Sequence, residues 1–504
     1  MKGLILVSAI MLVLAGAAFT EGVTKTVGPE GPPDYDFDSI QLAVNSFPQG
    51  DEAGGTILVY PGKYNEAVQI KNRPNIKILS TNGPLSTIIE RPNGAWPNST
   101  VWFEKADGCT LSGFTLINQN DIWATAYAVV RVRQSTNTTV TNNIIDGGFM
   151  GIREHTHWGK DIKNVFTNNV IMNAMGFGID SYAGSNWYGW GNINSLIANN
   201  VIHHCGRGAI RVVARGGRLL ESLSGRSTES RNCENTSLIV NNLSYDHTAL
   251  SQGGENLNTG IQVWDWSQPF HDAYGLARPV ISHNLMYPHD REVEYYDTWD
   301  SQKGAIWLYI HSMDAEDYYN EYVVPNNNIY PDVDPMLVGE VLGRFDPHLA
   351  IGSPCVDAGA NDIAPSTLPE ADADGNPRIF DGDFDGNPQV DIGAYEFGAG
   401  PESLFPETLA VISNVENIPP GIVRSLLNKL DAISRKMGQA AKVVYEGGSN
   451  AGEVINAASN NLNAFTNEVE ALYAGGKLTQ DECEDLIDSV ADMEELLDHL
   501  SNII

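Results

Sequence analysis

The sequence is poor in cysteine, in basic residues and in long apolar stretches. Its 504 residues include 5 Cys, and 30 Lys and Arg stand against 63 Asp and Glu, which gives a formal net charge of −33. Five cysteines are too few for a disulfide framework in a chain of this length, and an acidic chain lacks the broadly basic surface that nucleic-acid binding requires. Beyond residue 20 we find no apolar stretch that reaches the roughly 20 residues of a membrane span. The sequence therefore predicts no disulfide scaffold, no nucleic-acid partner and no membrane span.

The first twenty residues have the three parts of a signal peptide. Lys2 supplies the positive charge, Gly3 to Leu14 form the apolar stretch, and Ala15 to Ala17 form a small-residue cleavage site. A membrane anchor is the alternative, but about fifteen apolar residues are too few to span a bilayer comfortably. We therefore expect residues 1–20 to be a signal peptide and the remaining chain to be secreted or held at the cell surface.

Two of the cysteines, Cys205 and Cys233, flank one insertion of the chain and are the pair that a single disulfide would join. The alternative is that all five cysteines are small buried core residues, which is a frequent environment of free cysteine. We favour the second interpretation.

The charged residues are unevenly distributed. Between Arg131 and Arg218, nine Lys or Arg stand against four Asp or Glu. From Asp357 to Glu396 there are ten acids and one Arg, and beyond residue 400 seventeen acids stand against six bases. A locally basic strip in an acidic protein indicates a local site for an anionic ligand.

Two motifs alternate through the middle of the chain. One is a pair of polar residues, usually Asn-Asn, followed by an aliphatic residue, and its copies begin at Asn142, Asn168, Asn199, Asn241, His283 and Asn327. The other is a small or aliphatic residue before an alternating strand, and its copies contain Val130, Ile152, Ile179, Ile210, Ile261 and Ile306. Two strand types per coil are typical of a parallel solenoid. Its coils stack about 4.8 Å apart, so each Asn at a turn can hydrogen-bond to its copy in the next coil.

Two segments near the N-terminus carry a family resemblance. The run Phe37 to Val44 is similar to the short amphipathic helix that caps pectin-lyase-like β-helices, and the strand from Thr56 to Glu66 resembles the first-coil sequence of that superfamily. The resemblance covers residues 35–345 and implies an all-β right-handed parallel β-helix, a solenoid, which we place at residues 24–345. This fold hosts lyases, hydrolases, esterases, epimerases and adhesins, so the resemblance implies the fold and leaves the activity open.

Two further segments follow the predicted β-helix. Residues 346–400, with the motifs Gly352 to Gly359 and Asp391 to Glu396, resemble a closing segment of secreted β-helix proteins from bacteria and archaea. Residues 404–504 change to helical periodicity, with apolar stripes and Gly-Gly breaks that predict a small three-helix bundle. The bundle resembles modules for attachment or spacing, which implies a cell-surface partner.

The second motif places outward side chains in three columns, because alternate residues of a strand share one side. The first column is Arg131, Arg153, Asp180, Arg211, Gln262 and Trp307. The second is Arg133, His155, Tyr182, Val213, Trp264 and Tyr309, and the third is Ser135, His157, Gly184, Arg215, Trp266 and His311. The resemblance implies that this sheet floors a groove for a sugar chain, with the loop of Trp187 and Trp190 as its rim, and aromatic rings suit the apolar faces of pyranose rings. The alternative is a solvated ladder of charges with Trp capping the solenoid edge.

A uronate-containing polysaccharide is the substrate class that these columns favour. β-Elimination requires a neutralised carboxylate and a base near C5 of the sugar, and Arg together with His or Tyr can supply both. We assign catalytic roles to Arg153 and Arg211 as carboxylate clamps, to Asp180 between them, and to His155 or Tyr182 as the base. The residues predicted to bind substrate are Arg131, Arg133, Trp187, Trp190, Arg215, Gln262, Trp264, Trp266 and Trp307.

The favoured function is accordingly a secreted polysaccharide lyase acting on an acidic polysaccharide. The alternative is a non-catalytic surface or adhesive protein that binds glycan. A glycoside hydrolase ranks third, because hydrolysis uses two carboxylates at a suitable separation. In the columns only Asp180 stands out, whereas Glu154 and Asp265 are predicted to face inward.

The acidic segment from Asp381 to Gly386 matches the start of a calcium-binding loop, with acids at alternate positions and a glycine for the turn. Asp381, Asp383 and Asp385 would supply oxygens, and Asp391 is the acid nearest to the position that closes such a loop. We expect either a structural Ca²⁺ or a solvated acidic turn at this segment.

Overall fold

A computed structural model describes most of the chain. The described residues are 23–50, 54–119, 128–156, 159–184, 191–215, 217–218, 230–231, 233–247, 259–266, 275–287, 291–295, 304–309, 315–323, 327–329, 333–341, 344–350, 352–382, 387–399, 408, 412, 419–445, 451–488, 490, 493 and 497. The predicted signal peptide lies outside the described residues, as do Trp187, Trp190, His157, His311, Asp383 and Asp385.

Three long parallel sheets run the length of the β-helix. Sheet 1 consists of β1 (Thr24–Val27), β2 (Gly55–Val59), β5 (Ile76–Ser80), β8 (Thr110–Ser112), β11 (Thr139–Thr141), β14 (Val165–Thr167), β17 (Leu196–Ala198), β23 (Leu238–Val240) and β27 (Val280–Ser282). Sheet 2 consists of β3 (Gly62–Tyr64), β6 (Thr87–Glu90), β9 (Thr115–Asn118), β12 (Ile144–Gly147), β15 (Val170–Met172), β18 (Val201–His203), β24 (Leu243–Tyr245) and β28 (Leu285–Tyr287). Sheet 3 consists of β4 (Val68–Lys71), β7 (Val101–Glu104), β10 (Ala128–Arg133), β13 (Met150–Thr156), β16 (Phe177–Gly184), β19 (Gly208–Arg215), β25 (Ile261–Trp266), β29 (Arg291–Tyr295) and β30 (Gly304–Tyr309).

Short elements complete the described secondary structure. Two small pairs of strands belong to insertions, β20 (Gly217–Arg218) with β21 (Ser230–Arg231) and β22 (Cys233–Asn235) with β26 (Gly275–Ala277). An antiparallel hairpin of β31 (Leu337–Val341) and β32 (Arg344–Leu349) follows the last coil. The helices are α1 (Ile40–Asn45), α2 (Ala315–Tyr322), α3 (Pro420–Tyr445), α4 (Ala451–Ala474) and α5 (Gln480–Asp488).

The inward side chains of the coils stack in register and form one continuous apolar core. Ile152, Ile179 and Ile210 occupy equivalent positions on β13, β16 and β19, and all three are buried. Burying one such aliphatic side chain contributes about 1.5–3 kcal/mol to stability. A single coil cannot bury these side chains alone, so the coils must stack on one another. The predicted right-handed parallel β-helix with a C-terminal cluster of helices is confirmed.

The Asn-Asn pairs form the corner between sheets 1 and 2. The first residue of each pair has a positive φ, for example 56° at Asn168 and 53° at Asn199, a conformation that Asn adopts more readily than most residues. The second residue points inward and bonds to its copy. Nδ2 of Asn169 donates to Oδ1 of Asn200 (3.0 Å). The same hydrogen bond joins the equivalent Asn residues of successive coils from Asn143 to Asn328. This confirms the predicted ladder between coils.

The predicted N-terminal cap is the short helix α1. Ser39 is its N-cap residue, and its Oγ accepts a hydrogen bond from the Leu42 N–H (3.3 Å). Glu66, from the first-coil motif, accepts from the Ile40 N–H (2.8 Å) and from the Gln41 N–H (3.0 Å). A carboxylate at a helix N-terminus satisfies donors that the helix leaves unpaired, so the two motifs near the N-terminus bind each other.

The closing segment packs on the corner formed by the Asn-Asn pairs. Asn168 Nδ2 donates to the Ala371 carbonyl (2.8 Å), and the Ala360 N–H donates to Asn241 Oδ1 (2.8 Å). The guanidinium of Arg378 is buried and donates both to Glu396 Oε1 (2.7 Å) and to the side-chain oxygen of Asn168. The segment is therefore fixed along several coils.

His348 in β32 lies between Asp346 of the same strand and Asp374 of the closing segment. Its Nδ1 is 2.5 Å from Asp346 Oδ1, its Nε2 is 2.8 Å from Asp374 Oδ2, and its ring packs on Tyr395. Burial alone would lower the pKa of His348, but the charges and hydrogen bonds of Asp374 and Asp346 outweigh it and raise the pKa to about 10. The imidazolium therefore joins the hairpin to the closing segment at neutral pH.

The C-terminal helices pack through the predicted apolar stripes. The side chains of both stripes are buried: Leu462, Phe465, Val469, Leu472, Leu486, Val490, Met493 and Leu497. Helix α5 begins with a capping box, in which the Thr479 N–H donates to Glu482 Oε2 (2.7 Å) and the Glu482 N–H donates to Thr479 Oγ1 (3.2 Å).

All five cysteines are buried free thiols, so Cys205 and Cys233 form no disulfide. This confirms that the five cysteines are buried core residues. Among the helices in the described part of the chain, none combines the length and apolar character needed to cross a membrane.

Candidate functional site

The outward face of sheet 3 carries the candidate site. Pairing between strands places Arg131 beside Arg153, Arg153 beside Asp180, and Asp180 beside Arg211. The register continues to Gln262 and then Trp307, so the predicted order of the first column is confirmed. The second column is confirmed as well, because Arg133, His155, Tyr182, Val213, Trp264 and Tyr309 pair in that order.

An ion triad occupies the centre of this face. Asp180 is fully buried, its Oδ1 lies 2.8 Å from Arg211 Nε, and its Oδ2 lies 3.2 Å from Arg153 Nε. Burial alone would raise the pKa of Asp180, but the guanidiniums of Arg211 and Arg153 outweigh it and hold the pKa below its usual range. The triad is therefore one carboxylate between two cations, and its net charge is positive.

His155 and Tyr182 lie next to the triad on neighbouring strands. Their rings meet edge to face with centroids 5.5 Å apart, and the Arg153 guanidinium lies 5.6 Å from the Tyr182 ring centroid. His155 Nε2 is 3.0 Å from the Gly184 carbonyl oxygen, which can only accept a hydrogen bond. We therefore assign the proton of the neutral imidazole to Nε2, so that Nδ1 carries the lone pair.

The N-terminal coils extend the face with residues outside the three predicted columns. Glu104 lies between Lys71 (3.3 Å) and Arg133 (3.6 Å), and the Arg131 guanidinium lies 5.0 Å from the centroid of the Trp102 ring. These coils lack the small-aliphatic motif that identified the later strands. The sequence signal that could have identified them is the alternation of inward apolar residues with other residues in β4 and β7.

The C-terminal end of the face is less open than predicted. Gln262 is buried and its Nε2 donates to Thr259 Oγ1 (2.8 Å), and Trp307 is buried with its ring against Trp264 (centroids 5.6 Å apart). Neither Gln262 nor Trp307 therefore presents surface to a ligand in this structure, which corrects their predicted exposure. Trp264 is half-buried and its ring lies 5.4 Å from the Arg211 guanidinium, so it remains next to the triad.

The third column begins later than predicted. Strand β10 ends at Arg133, and the positive φ of Gln134 breaks the alternation, so Ser135 turns inward and its Oγ accepts from the Ala106 N–H (3.0 Å). The column is present from Gly184 through Arg215 to Trp266, whose backbones pair in register.

Glu154 points into the β-helix, as predicted, and does not belong to the site. It is fully buried, its Oε1 accepts from Ser181 Oγ (2.6 Å), and its Oε2 accepts from Asn164 Nδ2 (3.0 Å) and Ser195 Oγ (2.8 Å). Burial raises the pKa of Glu154. Its oxygens connect neighbouring coils, so its role is to fix the inside of the fold.

The predicted calcium ligands are only partly described. Asp391 is buried, and its carboxylate accepts from the backbone N–H groups of Asp357 (2.7 Å) and Phe397 (2.6 Å). Burial raises the pKa of Asp391 to about 8. Within the described ranges no group of three or more His, Cys, Asp or Glu is arranged to hold a metal ion. Asp391 thus organises the backbone of the closing segment, and a calcium site would depend on the segment from Asp381 to Asp385.

The described coils form a right-handed parallel β-helix. No protein-family model matches the sequence, and no curated protein matches it.

Pectin methylesterases are among the solved structures to which this chain is similar. PemA from Erwinia chrysanthemi is 12% identical with a TM-score of 0.31, and the match covers 56% of this chain and 80% of PemA. The enzyme from carrot is 16% identical with a TM-score of 0.26, over 58% of this chain and 82% of the carrot chain. The enzyme from Aspergillus niger is 13% identical with a TM-score of 0.27, over 60% of this chain and 95% of its own. Similarity at this level carries no information about activity.

Proposed function

We propose that the outward face of sheet 3 binds an acidic polysaccharide and cleaves it by β-elimination. The observation that carries the proposal is the register of the centre, where the Arg153–Asp180–Arg211 triad stands directly beside His155 and Tyr182.

The charge of the face favours an anionic ligand. From β4 to β19, the cations of the face are Lys71, Arg131, Arg133, Arg153, Arg211 and Arg215, and its carboxylates are Glu104 and Asp180. Asp180 engages Arg211 through Nε, which leaves the two Nη groups of Arg211 to bind a uronate carboxylate. The aromatic rings beside these cations suit the apolar faces of a sugar ring. Charge and aromatic surface together favour a polymer of uronic acids.

The chemistry that these side chains could perform is proton abstraction next to a carboxylate. Arg153 and Arg211 stabilise the negative charge that develops when His155 Nδ1 removes the proton at C5. The electron pair forms the C4–C5 double bond, and the bond from C4 to the glycosidic oxygen breaks. The Tyr182 hydroxyl gives a proton to the departing oxygen.

Hydrolysis fits the described residues less well. It requires two carboxylates that flank the scissile bond. Asp180 is enclosed by two guanidiniums, Glu104 is paired with Lys71, and Glu154 faces the interior. Each of these three carboxylates therefore already has another role.

The test is incubation with polygalacturonate, alginate and sulfated glycans, following the ultraviolet absorbance of the unsaturated product. His155→Gln should lower the rate at least about 10²-fold, the usual contribution of a general base. The control is Lys63→Gln, which removes an exposed cation paired with Glu90 on sheet 2 and should leave the rate unchanged.

Three other outcomes would contradict the lyase. Binding without any absorbance change would indicate a non-catalytic glycan-binding protein. New reducing ends without unsaturation would indicate a hydrolase. A lack of binding to the whole panel would contradict the assignment of the face as a glycan site.

Three further proposals concern segments outside the face. We propose that residues 1–20 direct secretion, that the C-terminal helices attach the protein to a cell-surface partner, and that a structural Ca²⁺ binds the loop of Asp381, Asp383 and Asp385. Addition of Ca²⁺ should then raise the melting temperature, and Asp381→Asn should reduce that shift. An unchanged melting temperature would contradict the calcium proposal.

A further inference from the structure

An exposed tryptophan stands at the N-terminal end of the candidate face. The side chain of Trp96 is 70% exposed, although the loop around it is well ordered by hydrogen bonds. Its ring meets the Trp102 ring edge to face with centroids 5.7 Å apart. One edge of the ring therefore packs on Trp102, and the rest of its apolar surface is exposed where a sugar ring on the face could stack on it.

A buried arginine holds the loop that presents this ring. Arg91 is 5% exposed, its Nε donates to the Pro97 carbonyl (2.9 Å), and its Nη2 donates to the Ala95 carbonyl and to Asn98 Oδ1 (3.4 Å). These contacts lie on both sides of Trp96 in the sequence. The ring is thus placed before a ligand arrives, which reduces the entropy cost of binding.

The loop joins β6 of sheet 2 to β7 of sheet 3, so Trp96 borders the outward face where the strands begin. Trp102 is in the first column of that face, paired with Arg131. The Arg131 guanidinium lies 5.0 Å from the centroid of the Trp102 ring. An aromatic surface and a cation therefore lie together at this end.

We infer that Trp96 and Arg131, which both contact the buried ring of Trp102, form a distal sugar-binding subsite for a uronate-containing polysaccharide. Trp96 stacks on one pyranose ring, and Arg131 binds the carboxylate of the same or the next sugar. Three coil steps separate Trp102 from Asp180, which is about 14 Å at about 4.8 Å per coil. The subsite rests on the proposed function, because it binds the same class of ligand. It adds that the protein binds long oligosaccharides more tightly than short ones.

The test compares calorimetric binding of a trisaccharide and an octasaccharide, each prepared from polygalacturonate and from alginate. A trisaccharide seated at the Arg153–Asp180–Arg211 triad does not reach Trp96, whereas an octasaccharide does. Trp96→Ala should therefore weaken octasaccharide binding about fivefold and leave trisaccharide binding unchanged. Trp96→Phe should retain most of the affinity. Leu85→Ala is the matched control, because Leu85 is 76% exposed in a different loop of the same coil and should have no effect.

The outcomes separate the subsite from the reaction. Loss of octasaccharide affinity in Trp96→Ala supports the subsite even if the wild-type protein releases no unsaturated product, a result that would contradict only the lyase. Octasaccharide affinity that stays within twofold in Trp96→Ala, or falls equally in Leu85→Ala, would overturn the subsite even if cleavage is observed. Failure of the wild-type protein to bind any of these oligomers would overturn both proposals.

Discussion

Asp180→Asn is the substitution whose effect the structure defines best. It keeps the shape of the side chain and removes the one negative charge between the Arg153 and Arg211 guanidiniums. Removing one partner of a buried ion pair costs about 3–5 kcal/mol, because the remaining charges lose their compensation. The two arginine side chains are 13% and 11% exposed, so water replaces part of the lost interaction. We therefore expect a loss of about 3 kcal/mol in the free energy of unfolding at neutral pH.

The pH dependence gives this prediction a second observable. The pKa of Asp180 is lowered in the folded protein, so its contribution to stability is present above the unfolded value of about 3.9 and is lost as the pH falls through the folded pKa. The difference in stability between the wild-type protein and Asp180→Asn should hence be constant from neutral pH down to about pH 5 and shrink at lower pH.

The assay is denaturant unfolding of the full chain, together with hydrogen exchange of β13, β16 and β19. The local readout is needed because a long solenoid need not unfold in one step. Asp146→Asn on sheet 2 is the control, since Asp146 binds Asn173 Nδ2 at an exposed position (2.8 Å) and should change stability by no more than about 0.5 kcal/mol. An equally small effect of Asp180→Asn, with unchanged exchange protection, would refute the reasoning.

Three further substitutions test other parts of the fold. Asn169→Ala removes an amide that bonds to both neighbouring coils and should cost about 3 kcal/mol in denaturant unfolding; a loss below about 1 kcal/mol would contradict the ladder's role. The pKa of His348 is raised to about 10, so its contribution is fully present below about pH 6.5 and is lost as the pH rises through about 10. The melting temperatures of the wild-type protein and His348→Gln should therefore converge at alkaline pH, and a constant gap would count against the imidazolium between Asp346 and Asp374. Glu154→Gln should lower stability by about 1–3 kcal/mol without changing oligosaccharide affinity, and altered affinity would show that the inward face is coupled to the site.

The sequence by itself determined the frame of each coil. Asn at the first position of each pair tolerates positive φ, and the second Asn supplies both a donor and an acceptor to its copies above and below. Strict alternation in the strands then fixed which side chains face outward. Because these rules depend on neighbouring residues and on a motif that recurs in each coil, the columns that contain Arg131, His155 and Tyr182 could be predicted from the sequence.

How exposed each position is, and which distant residues meet there, depends on how the coils, loops and closing segment pack together. Trp307 has the predicted direction but is buried, and Trp96 reaches the face from a loop that belongs to no strand column. Asp391 and Arg378 belong to a segment whose sequence is strongly acidic. Both residues are nevertheless buried, because that segment packs on coils about two hundred residues earlier in the chain. Burial and pairing of this kind depend on long-range packing, which local patterns of side chains do not encode.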